Sequence, residues 1–162
     1  MANVQEIRAA LAAQLQAELK IRCLANVPAV ITPPTIMVIP SPGQYVQYGA
    51  TMGESADALA AKYSVMGEVM GDISNPMSKN NIMLTVLICL STAQGYEPMQ
   101  PALDALLEPA GNSGSVPDAI ALDETLGGAA DWAIPLNVSG YGLVNIAGQD
   151  YFGAHIQVQV GA

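Results

Sequence analysis

A chain of 162 residues is in the size range of a single domain, and 51% hydrophobic with 12% charged residues is typical of a folded globular protein. Fourteen acidic residues against five basic ones give a formal net charge of −9, which repels phosphate backbones and argues against a nucleic-acid-binding protein. The sequence therefore predicts one domain over residues 1–162, with an insertion at about 50–81.

The two cysteines, Cys23 and Cys89, each lie in an apolar, strand-like run, so we expect buried free thiols in a reducing compartment. The start, MANVQEIRAA, lacks the pattern of a signal peptide. The longest apolar stretch, Ile82 to Leu90, is shorter than the about 20 residues that cross a bilayer. The expectation is a soluble protein made in the cytosol, with no membrane partner.

The first predicted element is an amphipathic helix over residues 3–20. Asn3 is a suitable N-cap, and apolar residues follow at three- and four-residue steps, namely Val4, Ile7, Leu11, Leu15 and Leu19. The next run alternates from Ile21 to Ala25 and predicts a strand. Prolines flank the β-branched run from Thr35 to Ile39, which predicts a short strand near a sheet edge, and Gln44 to Gly49 extends the sheet.

The segment at about 50–81 differs in composition and is rich in small residues, glycines and methionines. It has no sustained hydrophobic periodicity, apart from a short helix predicted at Ser55 to Ala61. Loops of this length in compact domains are usually functional or mobile. Methionine side chains repack easily, so this segment is the candidate partner contact, through Met52, Tyr63, Met66, Met70 and Met77. Filling of the core is an equally open role for these methionines.

The run NIMLTVLICLST, from Asn81 to Thr92, predicts a central strand with both faces covered. Two helices follow it. The first lies in GYEPMQPALDALLEPAG, with Pro98 near its start, and the second is capped by Ser115 and ends near Asp123.

The end of the chain predicts strands. One runs from about Ala130 to Val138 and is interrupted by Pro135. GLVNI and YFGAHIQVQV then form a hairpin around a turn at Ala147 to Asp150, with alternate apolar residues of the last strand on one face. The predicted fold class is α/β (α+β): a mixed, mainly antiparallel sheet with two to three helices packed on it and a long inserted loop.

No residue is predicted to be catalytic, cofactor-binding or metal-binding. GNSGS lacks the lysine and spacing of a phosphate loop, and SGYG does not fit a dinucleotide fingerprint. The sole histidine, His155, has too few companions for a catalytic or metal site and is expected at a surface or interface. The acids that cluster around the third helix are expected to form a solvated face: Asp118, Asp123, Glu124 and Asp131.

Several ordered segments resemble the tail terminator (tail completion) family of long-tailed bacteriophages, in particular those that infect actinobacteria. The similarity covers Ile7 to Pro40 and Ile82 to Val160. It is most specific in LDALL.P.G..GSV..AI..D.TLGG, followed by SGYG and then by G..Y.GA...V.V. The segment from about Met52 to Asn81 departs from the family pattern, and nothing carries over there.

The resemblance implies a small, non-enzymatic virion protein that acts in the tail and neck after assembly in the host cytoplasm. Such proteins form a hexameric ring that caps the tail tube, ends tube polymerisation and joins the tail to the head-neck proteins. The implied partners are further copies of the chain, the major tail tube protein and a head-completion or connector protein. DNA passes through the lumen without specific binding, and no cofactor is implied.

Three other hypotheses stay open at this point. The chain could be another head-tail connector or a tail tube subunit, which would stack into tubes or partner the portal side. A monomeric binding module would show no self-association. A small hydrolase using His155 would lose its activity when that histidine is replaced.

Overall fold

The structure, a computed structural model, describes residues 3–42, 46–48, 80–92, 96–109 and 114–162. Within these ranges the helices are α1 (Val4–Leu19), α2 (Tyr96–Leu107) and α3 (Val116–Leu122), followed by a 3-10 turn at Leu126–Gly128. The strands of the same ranges are β1 (Arg22–Leu24), β2 (Thr35–Pro40), β3 (Val46–Tyr48), β4 (Asn80–Thr92), β5 (Trp132–Ile146) and β6 (Gln149–Gly161).

Helix α1 begins where the sequence predicts. The Asn3 side chain accepts a hydrogen bond from the Glu6 N–H at 2.9 Å, and the Glu6 carboxylate accepts one from the Asn3 N–H at 2.8 Å. This reciprocal capping box satisfies two N–H groups that have no partner inside the helix. Four residues of the predicted stripe and its flank are buried against the sheet: Ile7, Leu11, Ala12 and Leu15.

The described strands form one mixed sheet in the order β1-β2-β4-β6-β5, with β1 parallel to β2 and the remaining neighbours antiparallel. Strand β3 pairs with the start of β4, so β2 and β3 lie one after the other along the same side of β4. Tyr48 pairs with Asn80, so the two described residues that flank the segment 49–79 lie side by side in the sheet. Residues 49–79, with the predicted short helix at Ser55 to Ala61, are outside the described part of the chain.

The main core lies between the helices and one face of the sheet. Alternate residues of β4 and β6 point into it, because successive side chains of a strand face opposite sides. The largest of them are fully buried: Leu84, Ile88, Phe152 and Ile156. A smaller cluster on the opposite face contains Met37, Leu87, Cys89, Val144 and Tyr151. Strand β4 is therefore central and covered on both faces, as its apolar run predicts.

The end of the chain differs from the prediction in one respect. The predicted strand from Ala130 to Val138 and the later GLVNI strand are one continuous strand, β5, which pairs with β6 along its length. Pro135 does not end this strand; one register shift follows it, and another lies between Ser139 and Gly142. A β-bulge accommodates an extra residue while the strand continues, so neither the proline nor the glycines mark a strand end.

The predicted hairpin turn is confirmed. Ala147 and Gly148 connect β5 to β6 with φ values of 53° and 84°, as expected for a two-residue turn that follows the twist of its strands. The face of β6 also agrees with its alternation, since Ala154, Ile156 and Val158 are buried in the main core. The α+β class with a mainly antiparallel mixed sheet is thus confirmed.

Candidate interaction surface

Strand β5 is the last strand of the sheet on one side, and within the described residues only β6 pairs with it. A groove of about 420 Å³ lies between α3 and the first half of β5. Most of its lining is apolar, and the lining residues are Pro109, Pro117, Asp118, Ala121, Pro135, Leu136, Asn137, Val138 and Ile156. A free sheet edge next to an apolar groove is a typical site for contact with another protein.

Helix α3 forms one wall of this groove. Its N-terminus is stabilised by a cap at Ser115. The Ser115 hydroxyl accepts a hydrogen bond from the Asp118 N–H at 3.2 Å and donates one to the Asp118 carboxylate at 2.8 Å. Pro117 occupies the first turn, where its missing N–H costs nothing. With Val116, Ala119 and Ile120 buried, the next turn leaves Ala121 and Leu122 exposed to solvent.

The exposed apolar side chains of the described residues concentrate around this edge. Eight large hydrophobic residues are exposed among the described residues, and Leu122 and Leu143 are among the most exposed at 60% and 58%. Six of the eight belong to α3 or β5, and we call these six the β5 edge surface: Leu122, Ile134, Leu136, Val138, Tyr141 and Leu143. The other two, Val27 and Val30, lie in the loop between β1 and β2. Exposed apolar residues concentrated in one edge strand and the helix beside it favour an interaction site.

The bulge in the middle of β5 is anchored to α2. The Tyr141 hydroxyl donates a hydrogen bond to the Asp104 carboxylate at 2.9 Å, and the Tyr141 ring meets the Phe152 ring edge-on with centroids 6.0 Å apart. Gly140 has a φ of 62°, and a Cβ there would approach the His155 Nδ1 to 3.0 Å. A larger residue at this position would be strained and crowded, so glycine is required where β5 crosses over His155.

Charge is distributed unevenly along the chain. From Asn80 to the end there is no lysine or arginine, while eight acidic residues occur: Glu97, Asp104, Glu108, Asp118, Asp123, Glu124, Asp131 and Asp150. Four of these acids border the β5 edge surface. Asp104 accepts the hydrogen bond from Tyr141, and Asp118 lines the groove. Glu108 precedes the groove residue Pro109, and Asp131 precedes Trp132 at the start of β5. The edge is therefore apolar with an acidic margin.

The opposite edge of the sheet is basic. The cations among the described residues are Arg8 in α1, Lys20 at its C-terminus and Arg22 in β1, and β1 is the last strand on that side. Lys20 and Arg22 are exposed. Helix α1 packs over β1 and β2, and its Gln16 accepts a hydrogen bond from the Cys23 N–H of β1 at 3.1 Å, so Arg8 belongs to a helix on the β1 side of the sheet. The β1 side thus carries three cations and two acids, Glu6 and Glu18 of α1, whereas the described charged residues at the border of the β5 edge surface are all acidic.

The carboxylates predicted to be solvated take part in local hydrogen bonds instead of forming an acid pair. Asp123 accepts hydrogen bonds from the Thr125 hydroxyl, the Gly127 N–H and the Thr125 N–H, which lower the pKa of its carboxyl. These bonds hold the 3-10 turn, in which Gly127 and Gly128 have φ values of 69° and 91°. The TLGG motif therefore specifies a turn. Glu124 and Asp131 are exposed, as predicted for a solvated face.

His155 lies half-buried on the sheet face opposite the helices, between Leu87 of β4 and Ser139 of β5. Desolvation by burial lowers the pKa of its imidazole. Among the described residues, no group of three histidine, cysteine or acidic side chains is arranged to hold a metal ion. The structure brings no described acid of the Asp118 to Asp131 cluster into a hydrogen bond with this histidine.

The two cysteines are buried and free. Desolvation by burial raises the pKa of the Cys23 thiol to about 12 and that of the Cys89 thiol to about 11, so both remain protonated at neutral pH. In the described part of the chain, no helix has the length and apolar character needed to span a bilayer.

The partner contacts predicted in the insertion, Met52, Tyr63, Met66, Met70 and Met77, lie outside the described residues. Sequence reasoning missed the β5 edge surface, although two signals were present. Apolar residues continue on both sides of Pro135 in AIPLNV, and Lys79 is the last lysine or arginine in the sequence. The position of β5 at the sheet edge, which exposes those apolar residues, follows only from the strand order.

Comparison with known proteins found no matching family model, no matching curated protein and no matching solved structure.

Proposed function

We propose that this chain is a structural virion protein that forms a ring on the end of a phage tail tube. The ring ends tube polymerisation and joins the tail to the head-neck proteins. Its partners are further copies of the chain in a hexamer, the major tail tube protein and a head-completion or connector protein. In this proposal the protein is not an enzyme, needs no cofactor, and lets DNA pass through the lumen without specific binding. It belongs to the tail and neck of the virion and is assembled in the host cytoplasm.

The observation that carries the proposal is the β5 edge surface. Five exposed apolar side chains on the edge strand and a sixth on α3 suit a subunit that contacts other subunits, because burial of exposed apolar surface under a partner is favourable. An assembly subunit needs such surfaces more than it needs a catalytic cleft.

The sequence resemblance supports the same proposal. Its most specific segments, from LDALL through TLGG to the final strand, form α2, α3, the 3-10 turn and the β5–β6 hairpin. Of these elements, α3, β5 and β6 line the groove. The groove and the β5 edge surface share only Pro109 and Tyr141 with the matched pattern, and most of the pattern's other residues belong to the caps, turns and core of the surrounding elements.

The excess of acidic residues over the whole chain also fits a ring around DNA. The region from Asn80 to the end of the chain has a formal charge of −8, from eight acids and no lysine or arginine. Negative charge that faces a lumen repels the phosphate backbone, which allows DNA to move past without binding.

The test is electron microscopy of phage tails made with and without this protein. Without it, tails are expected to be overlong or to lack heads, and resupply of the purified chain to those tubes is expected to place a ring on one end of each tube. Tails of normal length that carry heads would overturn the proposal. Stacking of the purified chain into long tubes would favour the alternative, a tail tube subunit, and attachment to the portal side would favour another head-tail connector.

A further inference from the structure

We propose that two copies of this chain associate head to tail, with the basic β1 edge of one copy packed against the acidic, apolar β5 edge of the next. The β1 edge is defined by Arg8, Lys20 and Arg22, and the β5 edge by the β5 edge surface with Glu108 and Asp104 on its margin. This inference names the surfaces through which subunits meet, and it rests on the proposed ring for the closure of these contacts into a hexamer.

Charge decides which surface covers the β5 edge. A twofold contact between two β5 edges would bring the acidic margins of both copies together, and like charges at short distance are unfavourable. An occupant of that edge should carry cations. The described cations of this chain lie on the opposite edge of the same sheet, so one translation and rotation of a second copy brings opposite charges together. Such a heterologous contact closes into a ring when its rotation allows it.

The β1 edge is also incomplete in a single copy. The Nε of Arg8 is buried and has no hydrogen-bond partner. Within the described ranges, Arg8, Lys20 and Arg22 form no ion pair. Because the Arg8 Nε is itself buried, a carboxylate from a second copy can reach only the exposed charged groups of this edge, Lys20 and Arg22.

Backbone pairing does not extend the sheet from copy to copy in this arrangement. Pro135 lacks the N–H that a ladder requires, and the two register shifts of β5 interrupt a regular edge. The contact is therefore made by side chains: apolar residues of the β5 edge surface at the centre and ion pairs at the margin. This is the usual division between the core and the rim of a protein interface.

The first test is a charge exchange measured by sedimentation velocity at low salt. Arg22→Glu and Glu108→Arg should each weaken self-association by about tenfold, and an equal mixture of the two variants should regain association, since each restores the opposite charge for the other. The control is Glu124→Arg, which changes the net charge by the same amount as Glu108→Arg but lies in the turn after α3. It should leave association unchanged.

The second test locates the contact by zero-length coupling of an amine to a carboxylate. Wild-type protein and an isotopically labelled copy are mixed, coupled and digested. Mass spectrometry is expected to find Lys20 of one copy joined to Glu108 or Asp104 of the other, and Lys20→Arg, which keeps the charge but cannot couple, should remove that product. Mixed-isotope products that join other residues and never Lys20 would overturn the interface.

Two further outcomes separate this inference from the proposed function. A chain that stays monomeric at about 1 mM, or Arg22→Glu and Glu108→Arg variants that associate like the wild type, would overturn the head-to-tail contact. If the variants lose association yet the wild-type protein leaves tail length and head attachment unaffected, the contact stands and the proposed function fails.

Discussion

Strands β4 and β5 both pair with β6 and are similar in length, at 13 and 15 residues, but their surroundings differ. Strand β4 is buried from Leu84 to Leu90, with the helices on one face and the smaller cluster on the other. Strand β5 is exposed over most of its central part, from Leu136 to Tyr141. The two neighbours of the same strand therefore have opposite roles: β4 holds the fold together, and β5 presents a surface.

This difference shows how two apolar sequences can have unlike consequences. In β4 each apolar side chain contributes about 1.5–3 kcal/mol when it is fully buried. In β5 the exposed apolar side chains contribute little to the stability of the monomer, so their presence has to be explained by what they meet. Substitutions in the two strands should therefore separate loss of folding from loss of association.

The largest effect is expected at Gly153 of β6, which pairs with Cys89 of β4 and leaves no room for a side chain. A Cβ at this position would lie 1.6 Å from the Ile88 carbonyl oxygen, and because this neighbour is backbone, one of the two strands must move. Gly153→Ala should therefore cost at least about 4 kcal/mol of unfolding free energy, measured by denaturant titration. Gly114→Ala is the control, since nothing lies within 4 Å of its Cβ position, and equal stability of the two variants would contradict this packing.

The next effect compares the two strands directly. Ile88 of β4 is fully buried, whereas Val138 of β5 is 42% exposed. Ile88→Ala should lower the free energy of unfolding by about 2–5 kcal/mol through lost burial and a residual cavity, and Val138→Ala should lower it by less than about 1 kcal/mol. Denaturant titration measures both. A Val138→Ala loss as large as that of Ile88→Ala would show that β5 belongs to the core of the monomer.

Much of this contrast could be predicted from sequence, because β4 and β6 have patterns set by burial. The continuous apolar run of β4 predicts cover on both faces, and the alternation of β6 predicts one buried face, as Ala154, Ile156 and Val158 confirm. The caps at Asn3 and Ser115 are local signals, since each depends on residues within three positions.

What could not be predicted depends on contacts distant in sequence. Pro135 and Gly140 have the local signature of strand ends, but twelve residue pairs with β6 keep β5 continuous through both bulges. The candidate surface depends on strand order, since the same apolar residues would be buried if another strand lay beyond β5. Opposite charge on the two edges likewise follows only once β1 and β5 are known to be the outer strands.

The smallest effect is expected at the boundary between the two regions, where His155 has buried Leu87 on one side and exposed Ser139 on the other. Burial lowers the pKa of folded His155 below the ordinary value of 6.5. Its contribution to stability is therefore fully present above the unfolded pKa and is lost as the pH falls through the folded pKa. The loss begins below about pH 6.5.

This pH dependence is measured as the shift of the denaturant midpoint between about pH 7.5 and about pH 5.5 in the wild type and in His155→Gln. The wild type should lose more stability than the variant, because only the wild type has the imidazole of His155. Carboxylates that titrate in the same range are common to both proteins, so their effect cancels in the comparison. Equal losses in the two proteins would show that His155 is as well solvated in the folded state as in the unfolded chain.

The irregular course of β5 has a consequence for aggregation. A long, flat edge strand with exposed apolar residues is a template for fibril growth, because each added strand presents the same edge to the next. Pro135 and the two bulges remove the regular row of donors and acceptors that such growth requires. The net charge of −9 adds long-range repulsion between free copies. Both features therefore disfavour amyloid-like growth from the β5 edge, although its apolar side chains are exposed.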